Sequence, residues 1–521
     1  MPLPHSQQDS RRRSPSRRSM TSTSSSPSSS SMPQPRLLLL LLLAITTYLL
    51  LTTVGPPALT LFITLPPYFR FLLLIDLGLW CWATNVHGLI LSGIHVGKLL
   101  DDGSHHDHEH RDVNPRAMYG LAGVFTGVTL ASLWCFRVLE SGRGEEAAEI
   151  VPACTYVMLV GMVVMPGGWG WGEERERFLR SLKRTVLGTL STPVPFCDVI
   201  LADILTSFSR SMGDLKIVFT DLVTDESAAV AVVHRTTVGV GDFVQPFLIC
   251  IPHLLRLRQC LAEYTQTPLH HSSHLSHTST QTSSPSSIRA RHLANAAKYV
   301  SAIPVIVAGF TINWIEGQVH GGGGDSADGG AAEGRGRKEK LDWAVGVWIL
   351  FATLNSLFTL YWDIIMDWHL GNLGNLSTPV SSSPSSRRKS THRLLRPTLH
   401  FPSPYLYYAA IAIDAVLRFS WIVRIALLRK VVDASVLDPS AGGGGDVSSG
   451  GDTDRTAKET LVAIDICLKV LEILRRWVWV FFRVEREWVV RGGDRKAGKA
   501  VAGGVSGVSL CCGLLVMDDG D

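Results

Sequence analysis

The stretch WAVGVWILFATLNSLFTLYWDIIMDW, residues 343–368, is long enough to cross a bilayer as a helix. It also contains two carboxylates four residues apart, Asp363 and Asp367, near its end. Ionisable groups inside an apolar span are costly and default to functional positions. The same combination recurs along the chain. Apolar segments that span or nearly span a membrane lie at Leu37–Val54, Phe71–Ile94, Ala117–Leu139, Ile150–Pro166, Val186–Phe208, Phe243–Leu257, Lys298–Ile315, Trp343–Met366, Tyr405–Leu428 and Leu461–Phe482.

Composition agrees. Of 521 residues 46% are hydrophobic and 18% charged, so the apolar surface needs a solvent other than water. A formal charge of +4, without zinc-knuckle spacing or stacking aromatics, excludes nucleic acid as a partner. The nine cysteines read as no disulfide framework, and Cys81, Cys135, Cys154 and Cys467 lie in apolar runs as small hydrophobes. Residues 1–36 are a basic Ser/Arg-rich tail that cannot bury a core and is expected to be disordered. The run after it is long for a signal peptide and lacks a small-residue cleavage site, so it reads as an uncleaved span.

Loop charges set the orientation, because cytosolic loops are rich in Lys and Arg. With a cytosolic N-terminus, one set of loops carries Arg175, Arg177, Arg180, Lys183 and Arg184, then Arg289 and Arg291, then Arg387, Arg388 and Lys389, then Arg491, Arg495 and Lys496. The alternate set carries Glu140, Glu145, Glu146 and Glu149, then Asp221, Asp225 and Glu226, then Asp433, Asp438, Asp446, Asp452 and Asp454. Gly321–Lys340 mixes both signs. The fold expected is all-α: a polytopic transmembrane helix bundle of about ten spans, both termini cytosolic. Spans 37–194 precede a second set at 195–488, with low-complexity loops at 265–292, 317–340, 376–396 and 433–457 and a cytosolic tail at 489–521.

The ionisable residues of the spans form helical pairs. Asp203 stands three and four residues before Thr206 and Ser207, Asp363 four before Asp367, and Asp414 four before Arg418 with Trp421 further along. Glu472 precedes Arg475 and Arg476, followed by Trp477, Trp479, Arg483 and Glu485. Lys298 and Tyr299 open another span. Lys298, Arg418, Arg475 and Arg476 can converge on a buried anion, since guanidinium forks hold phosphate or carboxylate oxygens bidentately. They can equally neutralise neighbours: Asp414 with Arg418, Glu472 with Arg475 or Arg476, and Asp363, Asp367 or Asp203 across helices. Lys298 and one of the two adjacent arginines lack an in-helix partner, which favours an external anion.

Other clusters carry no chemistry. The run His105, His106, Asp107, His108, Glu109 and His110, and the group His270, His271, His274 and His277, read as solvated polar loops, so no metal site is expected. Gly321–Gly324 lacks the Lys and Ser/Thr of a phosphate loop. There is no nucleophile elbow, no zinc-protease motif and no catalytic dyad, so no cofactor and no enzymatic reaction are expected.

Six blocks, in order, resemble the EXS family, the membrane domain shared by eukaryotic phosphate exporters and the fungal ER-retention-defective proteins of the Golgi. They are 202–209 (ADILTSFS), 251–261 (IPHLLRLRQCL), 295–299 (NAAKY), 361–368 (YWDIIMDW), 407–421 (YYAAIAIDAVLRFSW) and 471–488 (LEILRRWVWVFFRVEREW). The resemblance implies that phosphate passes residues matching Asp203, Thr206, Ser209, Lys298, Tyr299, Arg418, Trp421, Arg475 and Arg476. Asp363, Asp367, Asp414 and Glu472 then serve as structural ion pairs. Thr206 stands where animal exporters have Asn. The SPX domain that precedes the spans in exporters does not appear in this sequence, so inositol-pyrophosphate control is expected to be absent. The function implied is a multi-pass Golgi membrane carrier, cycling with the ER, that returns luminal phosphate to the cytosol and supports ER-protein retention and Golgi glycosylation. The alternative is a non-transporting adaptor for recycling glycosyltransferases. The expected partners are inorganic phosphate, the lipid bilayer and the glycosyltransferase-recycling machinery.

Overall fold

A computed structural model describes residues 64–100, 113–143, 148, 150–165, 171–216, 243–267, 285–321, 330–371, 395–396, 398–426 and 449–508. All of them fall in one compact unit, Leu61–Asp521. The span expected at Leu37–Val54 and both histidine-rich runs lie outside the described residues.

Among the described residues the ordered structure is helical, with no strand. In chain order the helices are α1 (Pro67–Leu91), α2 (Val96–Leu100), α3 (Pro115–Arg143), α4 (Ile150–Val164), α5 (Gly172–Leu187), α6 (Phe196–Ser207), α7 (Ser209–Met212), α8 (Val244–Gln266), α9 (Pro285–Val300), α10 (Ala302–Gly321), α11 (Gly330–Tyr361), α12 (Pro404–Arg418) and α13 (Ser449–Val508). Four stretches among the described residues are long and apolar enough to cross a membrane: Pro67–Leu91, Pro115–Gly142, Ser286–Ile315 and Glu339–Asp367. The protein is a helical membrane protein. On α11 the outer face exposes Leu350, Leu354 and Leu357, a stripe at helical spacing that water would disfavour and acyl chains accept.

Several apolar segments are less regular than their hydropathy predicts. Val186–Phe208, expected as one span, is broken: α5 ends at Leu187 and α6 begins only after Pro195. Proline supplies no N–H and holds the preceding residue extended, so Pro193 and Pro195 stop a continuous helix. The 12 residues of α6 span about 18 Å, short of the hydrocarbon core, and a kink at Phe208 leads into α7. Between α9 and α10 the chain bends at Ser301, whose hydroxyl donates to the Lys298 carbonyl at 2.7 Å and contacts Asn355 Oδ1 at 2.9 Å. Pro304, without an N–H for the Val300 carbonyl, keeps that turn open. The mixed-charge segment 317–340 is helical up to Gly321 and again from Gly330.

At the end of α11 the backbone widens into a π-helical turn over Trp362–Asp367, which holds both carboxylates of the opening stretch. Such turns are rare and concentrate at functional sites. The chain leaves through His369 (φ 52°) and Gly371 (φ 79°). At Gly371 a Cβ would stand 2.5 Å from Ile365 Cδ1, so both conformation and space demand glycine there.

Helix α13, 60 residues and about 90 Å long, is the spine. It packs on α1, α6 and α12, while α8 lies along α9 and α10 along α11. Trp368, Tyr407 and Trp479, all fully buried, anchor the main core between α1, α12 and α13. A second core, with Phe69, Phe125, Phe136 and Leu159, joins α1, α3 and α4.

Candidate functional site

Charges carried by seven elements meet in the interior of the bundle. On α6, Asp203 accepts hydrogen bonds from Arg256 Nε of α8 at 3.1 Å and from the Tyr299 hydroxyl of α9 at 2.5 Å. Arg256 lies over the Tyr299 ring, 5.3 Å from its centroid, and donates through Nη1 to Gln259 Oε1 at 3.1 Å. Gln259 Nε2 in turn donates to the Asp198 carbonyl at 3.1 Å. Asp198 is clamped by Arg184 of α5, with Nε at 2.8 Å and Nη2 at 2.9 Å, and by the Ser181 hydroxyl at 2.7 Å.

A second knot surrounds the π turn. Asp363, fully buried, pairs with Arg418 of α12 and with Arg475 Nη1 at 3.2 Å. Arg475 also reaches Asp414 Oδ1 at 3.0 Å and Glu472 at 2.6 Å. One guanidinium thus serves three carboxylates from three elements. Lys298 Nζ bridges the two aspartates of the π turn, 3.8 Å from Asp363 Oδ1 and 3.7 Å from Asp367 Oδ2. Arg483 completes the surround of Asp367 at 4.0 Å.

Arg476, the next residue to Arg475, points elsewhere because successive helical residues diverge by about 100°. It is buried, lies over Trp479 at 4.5 Å, and donates through Nη2 to Thr206 Oγ1 at 3.1 Å. Its Nε and Nη1 have no hydrogen-bond partner. Among the described residues no carboxylate lies within ion-pair distance of it. His253 Nδ1 is likewise buried and unpartnered, on the helix that supplies Arg256.

The residues singled out in the sequence are therefore gathered, though not always with the expected partners. Lys298 has no partner in its own helix but finds two across the bundle. Asp414 and Arg418 are 3.9 Å apart at their nearest atoms, while Arg418 turns to Asp363 and Asp414 to Arg475. Glu472 pairs with Arg475. Trp421 donates to Ser356 Oγ at 3.0 Å, and that hydroxyl donates to the Arg418 carbonyl at 3.3 Å. Ser209 is buried just beyond the kink at Phe208. Arg256 was missed: it lies at the edge of an apolar run, where an arginine resembles a membrane-flanking charge. The signal available was Gln259 three residues on, a second polar group on the same face.

Two further positions within α13, sixteen residues apart, carry charged groups. At one position Lys469 is held between Asp214 at 2.7 Å and Asp465 at 2.6 Å, beside a cavity of about 250 Å³ that Arg70 also lines. At the other, fully buried Glu485 accepts from Arg396, from the His400 backbone N–H at 2.9 Å and from the Tyr407 hydroxyl at 2.9 Å. His369, in the connector after the π turn, has its pKa lowered to about 4, first by burial and then by Arg486 and neighbouring arginines. It is neutral at physiological pH and accepts from Arg486 Nη2 at 2.8 Å.

The buried ion pairs allow a direct check. Arg256→Ala leaves Asp203 without its cation, at a cost of roughly 3–5 kcal/mol. The expected outcome is a lower thermal midpoint in detergent, largely restored when Asp203→Asn is added. Equal midpoints for the single and double variants would contradict it.

Comparison with known proteins matches residues 65–489 to the EXS family, starting upstream of the 195–488 stretch expected. Solute carrier family 53 member 1 of Homo sapiens is 26% identical over 447 residues, covering 82% of this chain and 50% of its own length. Protein ERD1 homolog 1 of Schizosaccharomyces pombe is 25% identical over 432 residues, covering 81% of this chain and 90% of its own. The xenotropic and polytropic retrovirus receptor 1 homolog of Xenopus laevis is 26% identical over 443 residues, 82% of this chain and 49% of its own. This chain spans about half the length of the vertebrate relatives. None of these names is that of an enzyme.

Proposed function

The chain belongs to the EXS family, and we propose that it carries inorganic phosphate through the helix bundle, returning luminal phosphate to the cytosol across a Golgi membrane. The observation that carries this reading is Arg476: a buried guanidinium with two unpartnered nitrogens and, among the described residues, no carboxylate within ion-pair distance, although the charges of Asp203, Asp363 and Glu472 are felt there. Guanidinium N–H groups left unpaired inside the bundle are donors for an anion that enters, and a planar fork suits a tetrahedral oxyanion. Thr206, already bonded to Arg476, would share that ligand together with Lys298, with Asp203, Tyr299, Arg418 and Trp421 lining the route and Arg475 holding its wall. Ser209 keeps the role that the resemblance implies. The name of the human relative, a solute carrier, is consistent with transport. The ERD1 homolog is consistent with a secretory-pathway membrane, and the role in retaining ER proteins and maintaining glycosylation is carried over from the family resemblance.

Proteoliposomes loaded with radiolabelled phosphate test the reading. Release faster than from protein-free vesicles is expected. The second reading, a non-transporting adaptor for glycosyltransferase recycling, draws on the same knots: Asp203, Asp363, Asp367, Asp414 and Glu472 all face cations, so the charges also fasten helices. A wild-type protein that moves no phosphate yet restores ER-protein retention would favour the adaptor.

We also propose about ten spans with both termini cytosolic, on the loop charges. Asn375-Leu376-Ser377, the chain's single glycosylation sequon, then faces the cytosol; it lies outside the described residues. The protein is expected to run at the same mobility with and without endoglycosidase. A glycosidase-sensitive shift would invert this topology.

A further inference from the structure

Six acidic side chains are buried among the described residues: Asp76, Asp198, Asp203, Asp363, Asp414 and Glu485. Five of them face a cation: Asp198 meets Arg184, Asp203 meets Arg256, Asp363 meets Arg418 and Arg475, Asp414 meets Arg475, and Glu485 meets Arg396. Asp76 is the exception. It lies midway along α1, 4% exposed, and neither of its carboxyl oxygens has a hydrogen-bond partner.

Its surroundings follow from the antiparallel packing of α1 on α3. Trp80 Nε1 donates to Thr126 Oγ1 at 3.1 Å, and His87 Nδ1 meets the Tyr119 hydroxyl at 3.2 Å. Extended by one turn, that register sets Asp76 opposite Thr129, whose hydroxyl is fully buried and also unpartnered. The charged groups on the packed elements are committed elsewhere. On α3, Arg137 binds Glu140 and the Thr64 carbonyl; on α13, Lys469 binds Asp214 and Asp465. Arg210 of α7 lies with Asp465 and Glu472, Arg70 of α1 donates to the Leu65 carbonyl, and the Tyr156 hydroxyl of α4 donates to the Tyr68 carbonyl. The carboxyl group faces apolar side chains and one hydroxyl.

A carboxylate cannot remain ionised there without a cation, whereas a carboxylic acid can, donating its proton toward Thr129 Oγ1. We propose that Asp76 is a proton-binding site, protonated in this packing and exchanging its proton with water when α1 and α3 separate, so that proton movement accompanies transport. The chemistry is the reversible breaking of one carboxyl O–H bond, the proton passing to water. Two residues on, a Cβ at Gly78 would come within 2.6 Å of the Phe208 ring. Phe208 caps α6, the helix of Asp203 and Thr206, so α1 is pressed against the anion-site helix beside the proton site. The coupling half of the proposal rests on the phosphate-carrier reading; the proton-binding half does not.

Infrared spectroscopy of the full chain in lipid tests the proton directly. At neutral pH the wild type is expected to show a protonated-carboxyl C=O band that Asp76→Asn removes, Asp76→Glu retains at a moved frequency, and Thr129→Val shifts. Identical carboxyl-region spectra for the wild type and all three variants would overturn the site. Coupling is read from phosphate efflux at stepped luminal pH. The wild-type rate is expected to change with pH, and the Asp76→Asn rate to lose that dependence. An Asp76→Asn protein with the wild-type pH profile overturns the coupling. A wild type without flux overturns the carrier reading alone, and the infrared result still decides the proton site.

Discussion

Arg476→Lys is expected to give a folded protein, at normal abundance, whose phosphate efflux falls roughly tenfold, and Arg476→Gln one whose efflux falls roughly 100-fold. The sizes follow from hydrogen bonds to charged groups, about 1.5–3 kcal/mol each, at about 1.4 kcal/mol per tenfold. Lysine keeps the charge but loses the fork; glutamine loses both. Folding is expected to survive because Asp203, Asp363 and Glu472, whose charge Arg476 helps to offset, each keep a direct cation in Arg256, Arg418 and Arg475. Efflux from proteoliposomes, with gel-filtration profile and thermal midpoint measured on the same preparations, separates the two effects. Wild-type flux in Arg476→Gln would remove this residue from the anion site.

One residue earlier the expected result is the opposite. Arg475, 1% exposed, is the shared partner of Asp363, Asp414 and Glu472. Arg475→Ala leaves Glu472 without its ion-pair partner and Asp414 with only the longer 3.9 Å contact to Arg418, and stranding even one buried charge costs roughly 3–5 kcal/mol. Total stabilities are only about 5–15 kcal/mol, so this variant is expected to disappear from membranes while Arg476→Ala accumulates. Arg475→Met combined with Asp414→Asn and Glu472→Gln removes the stranded charges and is expected to recover part of the level. Quantitative immunoblotting of membrane fractions checks both. Equal abundance of Arg475→Ala and Arg476→Ala would show that the two arginines do not divide their duties in this way.

That division could not be read from the sequence, which offers Arg475 and Arg476 as equivalent neighbours of Glu472. What could be read were the ionisable groups within the spans, since apolar context alone marks Asp203, Lys298, Asp363 and Arg418 as exceptional. Helical spacing was a poorer guide to partners. Asp414 and Arg418 stand four apart, yet each has a nearer partner on another helix, because interhelical geometry sets buried pairings as much as i,i+4 proximity does. Hydropathy likewise found the span at Phe71–Ile94 but drew Val186–Phe208 as continuous, since a windowed average does not register Pro193 and Pro195. Arg256 escaped for a related reason: at the end of an apolar run, burial depends on which helix covers it.

The knot at Glu485 has a mechanical meaning. Arg396, the His400 amide and Tyr407 bind its carboxylate, and His400 Nε2 reaches the Ser92 carbonyl at 2.7 Å just past α1. Three separate lengths of chain are riveted to α13 at that point. A rocking of the spine about that point would leave Glu485 almost still. Displacement grows with distance along the rod: about 14 Å from the rivet at Arg476 and about 24 Å at Lys469, at 1.5 Å per residue. A few degrees of swing that barely disturbs Glu485 would shift Lys469 by an ångström or more. The cavity lined by Arg70, Asp214 and Lys469 lies where such a swing would be felt most.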